Sequence, residues 1–139
     1  MSKRAFIDTN ILLDLLQADR PCHEYAKRLM VEGVLHDIRL GVCAMSLKDT
    51  YYILCKRMRE YDVRKMISEL LSLIDVVAVD RLVCQRALVS DEPDFEDGIV
   101  RACAERWKAD YIISRDEKAY ANSHIKRVTA EEYLRICGG

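Results

Sequence analysis

Five aspartates stand at the borders of apolar segments. Asp8 closes the stretch Arg4-Ala-Phe-Ile-Asp8, and Asp49 follows Leu40-Gly-Val-Cys-Ala44. Asp94 and Asp97 open the segment after Pro93, and Asp116 follows Tyr111-Ile-Ile113. If such acids meet, two carboxylates about 5 Å apart at an effective dielectric of about 20 repel by roughly 3 kcal/mol, and the cluster requires a counter-cation. Oxygen donors without a neighbouring His or Cys select a hard ion, Mg²⁺ or Mn²⁺, which keeps several waters and also contacts phosphate oxygens. Other chemistries lack their residues: the chain has no Gly-rich phosphate loop, no nucleophile elbow and no Cys/His pair. A phospho-acceptor role for Asp8 is disfavoured because Asn10 stands where a second acid would be expected.

Each acid also has a purely structural use. Ser46-Leu-Lys-Asp49 and Asp94-Phe-Glu-Asp97 read as an N-cap followed by an acid at the third helical position, where it favours the positive end of the helix dipole. Asp8 can cap the helix that Asn10 enters, and Asp116-Glu117 can be a polar turn. On a helix from Ser46, Asp49 lies opposite the stripe of Leu47, Thr50, Tyr51, Leu54, Cys55 and Met58. Tyr52 and Ile53 flank it, which suits a cleft wall or a subunit contact.

The elements that must position these acids are short. Strands are expected at 4–8, 40–44, 75–79 and 111–113, with a weaker one at 126–128. Helices are expected after Thr9, from Pro21 to Gly33, from Ser46, over 63–74 and 82–89, after Pro93 to Trp107, and from Thr129, where Thr-Ala-Glu-Glu resembles a capping box. Strands alternating with helices imply an α/β fold, three-layered, with a central, mostly parallel, short-stranded sheet. Ligands in such sheets collect at the carboxyl ends of the strands, where the acids fall.

At 139 residues, the chain has the length of a single domain, 1–139, with 22 Lys plus Arg balanced by 23 Asp plus Glu. Half the residues are hydrophobic and 32% charged, which excludes disorder, and no apolar run is long enough for a transmembrane helix. An acid interrupts Phe6-Ile7 before a signal-peptide core can form, so a cytoplasmic location is expected. The six cysteines are scattered without C-x-x-C and read as small buried hydrophobes, and His23, His36 and His124 as surface or packing residues.

The order of these blocks resembles a known family. Phe6-Ile-Asp-Thr-Asn-Ile-Leu-Leu-Asp-Leu-Leu16 is similar to the opening motif of PIN domains, and Leu47-Lys-Asp-Thr-Tyr-Tyr-Ile-Leu54 to their second acidic helix. Asp94-Phe-Glu-Asp-Gly-Ile-Val-Arg-Ala-Cys-Ala104 resembles the third acidic block, and Asp110-Tyr-Ile-Ile-Ser-Arg-Asp116 the last strand and turn. The resemblance spans nearly the whole chain and implies an Mg²⁺- or Mn²⁺-dependent endoribonuclease, often the VapC-like toxin of a toxin–antitoxin pair, working as a homodimer. It implies Asp8, Asp49, Asp97 and Asp116 as catalytic acids, Asp94 assisting in metal binding, and Asn10 and Ser114 supporting them by hydrogen bonds. Two positions depart from the family pattern: Asp49 stands where Glu is usual, and Asp116 where Asn is frequent.

An RNA polyanion approaching a near-neutral chain needs local cations. Arg4, Lys48, Arg115 and Lys118 are candidates, with Lys56, Arg57 and Arg101, although Lys56-Arg-Met-Arg59 also reads as a solvated helix end. Tyr51, Tyr52, Tyr111, Tyr120 and Trp107 offer base-stacking surface, the last and Tyr111 reading better as core. An antitoxin peptide is expected along the helices near 12–35, and a dimer contact on the doubly apolar helix at 46–59. The competing reading is a catalytically inactive PIN-like module that binds RNA or a protein partner, its acids kept as caps.

Overall fold

The computed structural model describes residues 3–138. Its chain runs β1 (Lys3–Ile7), α1 (Thr9–Leu16), α2 (His23–Leu35), β2 (Ile38–Cys43), α3 (Ala44–Leu54), α4 (Glu60–Leu71), β3 (Asp75–Val77), α5 (Arg81–Val89), α6 (Phe95–Arg106), β4 (Tyr111–Ile113), β5 (Lys126–Val128) and α7 (Ala130–Gly138). All five strands pair in parallel, in the order β3-β2-β1-β4-β5. Alternation along each strand divides the core. Ala5, Ile7 and Ile113 point into a cluster with α1, α2 and α7, whereas Phe6 and Ile112 point into one with α5 and α6. The result is the expected three-layer α/β/α arrangement.

The chain moves from β1 outward to β2 and β3 on one side, and to β4 and β5 on the other. The strand order therefore reverses between β1 and β4, the position at which open parallel sheets form their binding crevice. Asp8 leaves β1 there, its amide donating to the Ile113 carbonyl of β4 at 3.0 Å. Two close approaches are built on glycine. A Cβ on Gly41 would fall 2.8 Å from the Trp107 ring, and one on Gly98 2.9 Å from the Ala87 carbonyl oxygen, so α6 packs directly on α5.

Several local expectations shift. The helix expected from Ser46 begins at Ala44, with Cys43 at the N-cap position, and ends at Leu54 rather than continuing to 59. Ser46 is therefore not a cap: it is fully buried, and its hydroxyl accepts from Thr9 Oγ1 at 2.8 Å and lies 3.3 Å from Cys43 Sγ. Asp49 accordingly sits mid-helix, beyond the reach of a first-turn dipole effect. The Thr129–Glu132 capping box does form, with reciprocal bonds of 3.0 and 3.1 Å. The six cysteines are free thiols, with Cys43 and Cys103 buried and the others half-buried.

Candidate functional site

A cleft of about 400 Å³ opens at the carboxyl edge of the sheet beside the β1/β4 reversal. Asp8, Asp49, Glu96, Asp97 and Asp116 contribute carboxylates to it, Asn10 an amide, and Met45, Tyr52, Ile53 and Val100 part of its apolar wall. The five acids arrive by four routes. Asp8 is the N-cap of α1, Asp49 lies on α3, Glu96 and Asp97 sit in the first turn of α6, and Asp116 follows β4.

Asp8 is the most constrained of them. Its Oδ1 accepts from the Thr9 amide at 2.7 Å; its Oδ2 accepts from Ser114 Oγ at 2.9 Å and from the Tyr120 hydroxyl at 2.8 Å. A carboxylate oxygen has two lone-pair sites, so Oδ2 is filled and the remaining acceptor site is on Oδ1. Tyr120 is a committed donor: burial first, then the charges of Asp8, Asp97 and Asp116 with the bond to Asp8, raises its phenol far above the ordinary range. Its backbone φ is 67°, its amide donates a hydrogen bond to Glu92 Oε1 at 2.7 Å, and Arg101 pairs with the other Glu92 oxygen at 3.0 Å. Being 2% exposed, Tyr120 cannot stack on a base, contrary to the sequence expectation.

The remaining acids differ in how far they are engaged. Asp94 performs the capping that the sequence suggested, its Oδ1 accepting from the Asp97 amide at 2.9 Å. Because Asp94 is the cap, the Asp97 side chain is left to face the other acids. Burial, then the charges of Asp94, Asp8, Asp116 and Glu92, raises its carboxyl to about 7. Asp49 carries an ion pair with Lys48 at 2.7 Å. Asp116 Oδ1 accepts from the Lys118 amide at 3.0 Å, and the Asp116 amide donates to Ser114 Oγ at 3.1 Å.

The chemistry of this donor set fits a hard divalent ion: every candidate ligand is oxygen, the carboxylates repel one another, and Asn10 Oδ1 is buried in the cleft wall without a hydrogen-bond partner. Among the described residues no three His, Cys, Asp or Glu side chains already converge as a cage. Mg²⁺ commonly takes only one or two carboxylates, with waters and substrate phosphate completing its shell.

Not every predicted cation reaches the cleft. Arg4 is displaced to the opposite end of β1, where it donates to the Trp107 carbonyl at 2.6 Å and stacks over the Trp107 ring. Arg101 is consumed by Asp91, Glu92, Glu105 and the Asn122 carbonyl. Arg115 turns away from the acids to grip Asp14 with two nitrogens. Lys48 stays at the rim through Asp49, Lys118 is exposed beyond Asp116, and Lys56 lies 4.8 Å over the exposed Tyr52 ring. Three acids were missed by sequence reasoning: Glu96 in the cleft, Glu92 beneath it, and the buried Asp14. Glu96 had a signal, since it adjoins Asp97 in the first turn of α6.

The chain and its fold have counterparts among known proteins. The family model of the PIN domain matches residues 4–118. The chain belongs to the PIN domain family. Ribonuclease VapC1 of Aquifex aeolicus (strain VF5) is 22% identical over 140 residues, covering 95% of this chain and 94% of the relative. Among solved structures, a toxin–antitoxin complex from Klebsiella pneumoniae matches with a TM-score of 0.69 at 21% identity, covering 91% of this chain and 97% of that one. The Mycobacterium tuberculosis VapC20 structure, a sarcin–ricin loop cleaving toxin, matches with a TM-score of 0.66 at 19% identity, over 81% of this chain and 89% of that one. These solved structures share the PIN fold with this chain.

Proposed function

We propose that this PIN domain is an endoribonuclease of the VapC toxin type, hydrolysing RNA phosphodiester bonds with Mg²⁺ or Mn²⁺. The observation that carries the reading is the acid-lined cleft at the β1/β4 reversal in a PIN-domain chain. The relative named as a ribonuclease and the fold-mates named as toxins support the substrate class. Asp8, Asp97 and Asp116 would hold the ion, with Asp49 and Asp94 completing the negative field and the unpaired Asn10 Oδ1 offering a further acceptor in the cleft wall. When bound, the ion supplies an activated water and charge stabilisation at the phosphate oxygens. The protein's own part is positional: Tyr120, Ser114 and the Thr9 amide fix Asp8 with one acceptor site on Oδ1, and Met45, Val100 and Ile53 supply apolar wall. Tyr52 and Lys56, stacked at the rim, offer a face and a charge to an unpaired base and its phosphate.

The inactive-module reading needs the acids to be spent on capping. Asp8 and Asp94 do cap helices, but Asp49 is mid-helix and the Asp97 carboxylate is held among other carboxylates instead of bonding a helix end. An antitoxin partner is supported by the toxin–antitoxin complex among the fold-mates; homodimerisation belongs to the same proposal. The test is cleavage of a panel of structured RNAs with Mg²⁺, with Mn²⁺ and with EDTA, using wild type, Asp8→Asn and Asp97→Asn. Metal-dependent cutting that disappears in both variants is expected. No cutting with either ion, while RNA or partner binding persists, refutes the nuclease.

A further inference from the structure

Beside the acid cleft lies a second pocket, of about 430 Å³, whose chemistry is the reverse. Arg20, Arg57 and Arg115 line it with Asp14 and Asp19, and Ile53 belongs to the walls of both pockets. Three guanidiniums against two carboxylates leave one net positive charge. Asp14 is 1% exposed and organises the pair behind it: Oδ1 accepts from Arg20 Nε at 2.8 Å and Arg115 Nη2 at 3.0 Å, and Oδ2 from Arg115 Nε at 3.0 Å. Gln17 Oε1 accepts from Arg20 Nη1 at 3.1 Å. Among the described residues, Arg20 Nη2 and Arg115 Nη1 make no hydrogen bond, and these side chains remain 30% and 39% exposed. Two guanidiniums from distant parts of the chain are thus fixed together by one buried carboxylate. Among the described residues Arg57 is tied only by an exposed 3.4 Å pair with Asp19, a contact of small energetic value that an incoming anion can replace.

We infer that this arginine pocket is a phosphate-binding subsite for the RNA strand whose neighbouring phosphodiester occupies the acid cleft. The inference rests on the RNA-hydrolase reading and supplies something the acid cleft lacks. A cleft walled by five carboxylates repels a polyanion even when an ion is bound, so strand affinity must come from cations beside it. Arg115 adjoins Asp116 in the chain, and Ile53 is the shared wall, so one strand can touch both pockets along one edge of the sheet. Guanidinium forks suit phosphate oxygens in a way an ammonium does not.

The experiment is steady-state cleavage of a single-stranded RNA across a salt series by wild type, Arg57→Gln, Arg115→Lys and the charge-matched control Arg86→Gln on α5. Arg57→Gln is expected to raise KM about fivefold with kcat unchanged, the loss of roughly one exposed charged contact. The slope of log KM against log salt should fall by about 0.7, the single-strand value for one phosphate contact. Arg115→Lys, which keeps the charge but not the fork, should also raise KM while still melting cooperatively, and Arg86→Gln should match wild type. Wild type that cleaves RNA while Arg57→Gln and Arg115→Lys keep its KM and salt slope overturns the subsite and leaves the pocket to an acidic protein segment. Wild type that neither binds nor cleaves RNA overturns the nuclease reading, and the subsite with it.

Discussion

Tyr120→Phe isolates one hydrogen bond at the centre of the site. The phenylalanine ring fills the same buried volume, so no cavity opens and the change is confined to the hydroxyl that donates to Asp8 Oδ2 at 2.8 Å. A hydrogen bond to a charged group contributes about 1.5–3 kcal/mol. At about 2.1 cal/mol/K per residue, the 139-residue chain unfolds with an entropy of roughly 290 cal/mol/K, so each kcal/mol moves the midpoint by about 3.5 °C. The variant should therefore melt about 5–10 °C below wild type at neutral pH. Ser114→Ala removes the other donor to the same oxygen, at 2.9 Å, so the two losses should be non-additive by at least about 0.5 kcal/mol in a double-mutant cycle. Thermal unfolding of the four proteins, metal-free, measures both quantities. A Tyr120→Phe midpoint within about 2 °C of wild type would show that Asp8 is held without the phenol, and the reasoning about its filled oxygen would fall.

Three further outcomes follow from the same contacts. The Asp97 carboxyl is raised to about 7 from an unfolded value of 3.8, so between those values the folded protein holds the extra proton and stability falls as pH rises. In EDTA, Asp97→Asn should match wild type near pH 4 and become progressively more stable than it up to pH 8 or so; a pH-independent difference in melting temperature contradicts the clustering. Mn²⁺ at 100 times its dissociation constant should stabilise wild type by about 2.7 kcal/mol, roughly 9 °C, with the gain lost in Asp8→Asn, as differential scanning calorimetry can read. Gly98→Ala would press a methyl group against Ala87 at 2.9–3.0 Å, an overpacking cost of about 1–3 kcal/mol that outweighs the helix-propensity gain of about 1 kcal/mol. A higher urea midpoint for that variant would contradict the close α5–α6 packing.

What could be read from the sequence was whatever depends on near neighbours. The strand at 111–113 has its expected bounds because Tyr111-Ile-Ile113 is a short apolar run between polar turns, whereas Lys126-Arg-Val128 also matches but carries a weaker signal, with Val128 its one apolar residue. The Asp94 cap and the Thr129 box were legible because donor and acceptor are three residues apart. Ser46 carried the same local signature and misled. The chain passes from Cys43 into α3 without a loop, so the helix starts two residues early and the serine turns inward to Thr9, 37 residues away. Asp14 and Tyr120 were opaque for a related reason, since their defining partners, Arg115 and Asp8, lie 101 and 112 residues distant.

Arg4 is the instructive miss, because strand direction alone excludes it. Four residues of extended chain separate it from Asp8, about 13 Å at 3.3 Å per residue, and a parallel strand carries its two ends to opposite edges of the sheet. A residue that enters a strand cannot share the crevice formed where that strand ends. Arg115 follows β4, and Asp14 of α1 holds Arg20 beside it, so these two cations lie at the same edge as the acids. A guanidinium placed directly among the carboxylates would neutralise the field on which the proposed divalent ion depends. Asp14 resolves the conflict by binding two arginines from behind, keeping their charge beside the acid cleft rather than inside it.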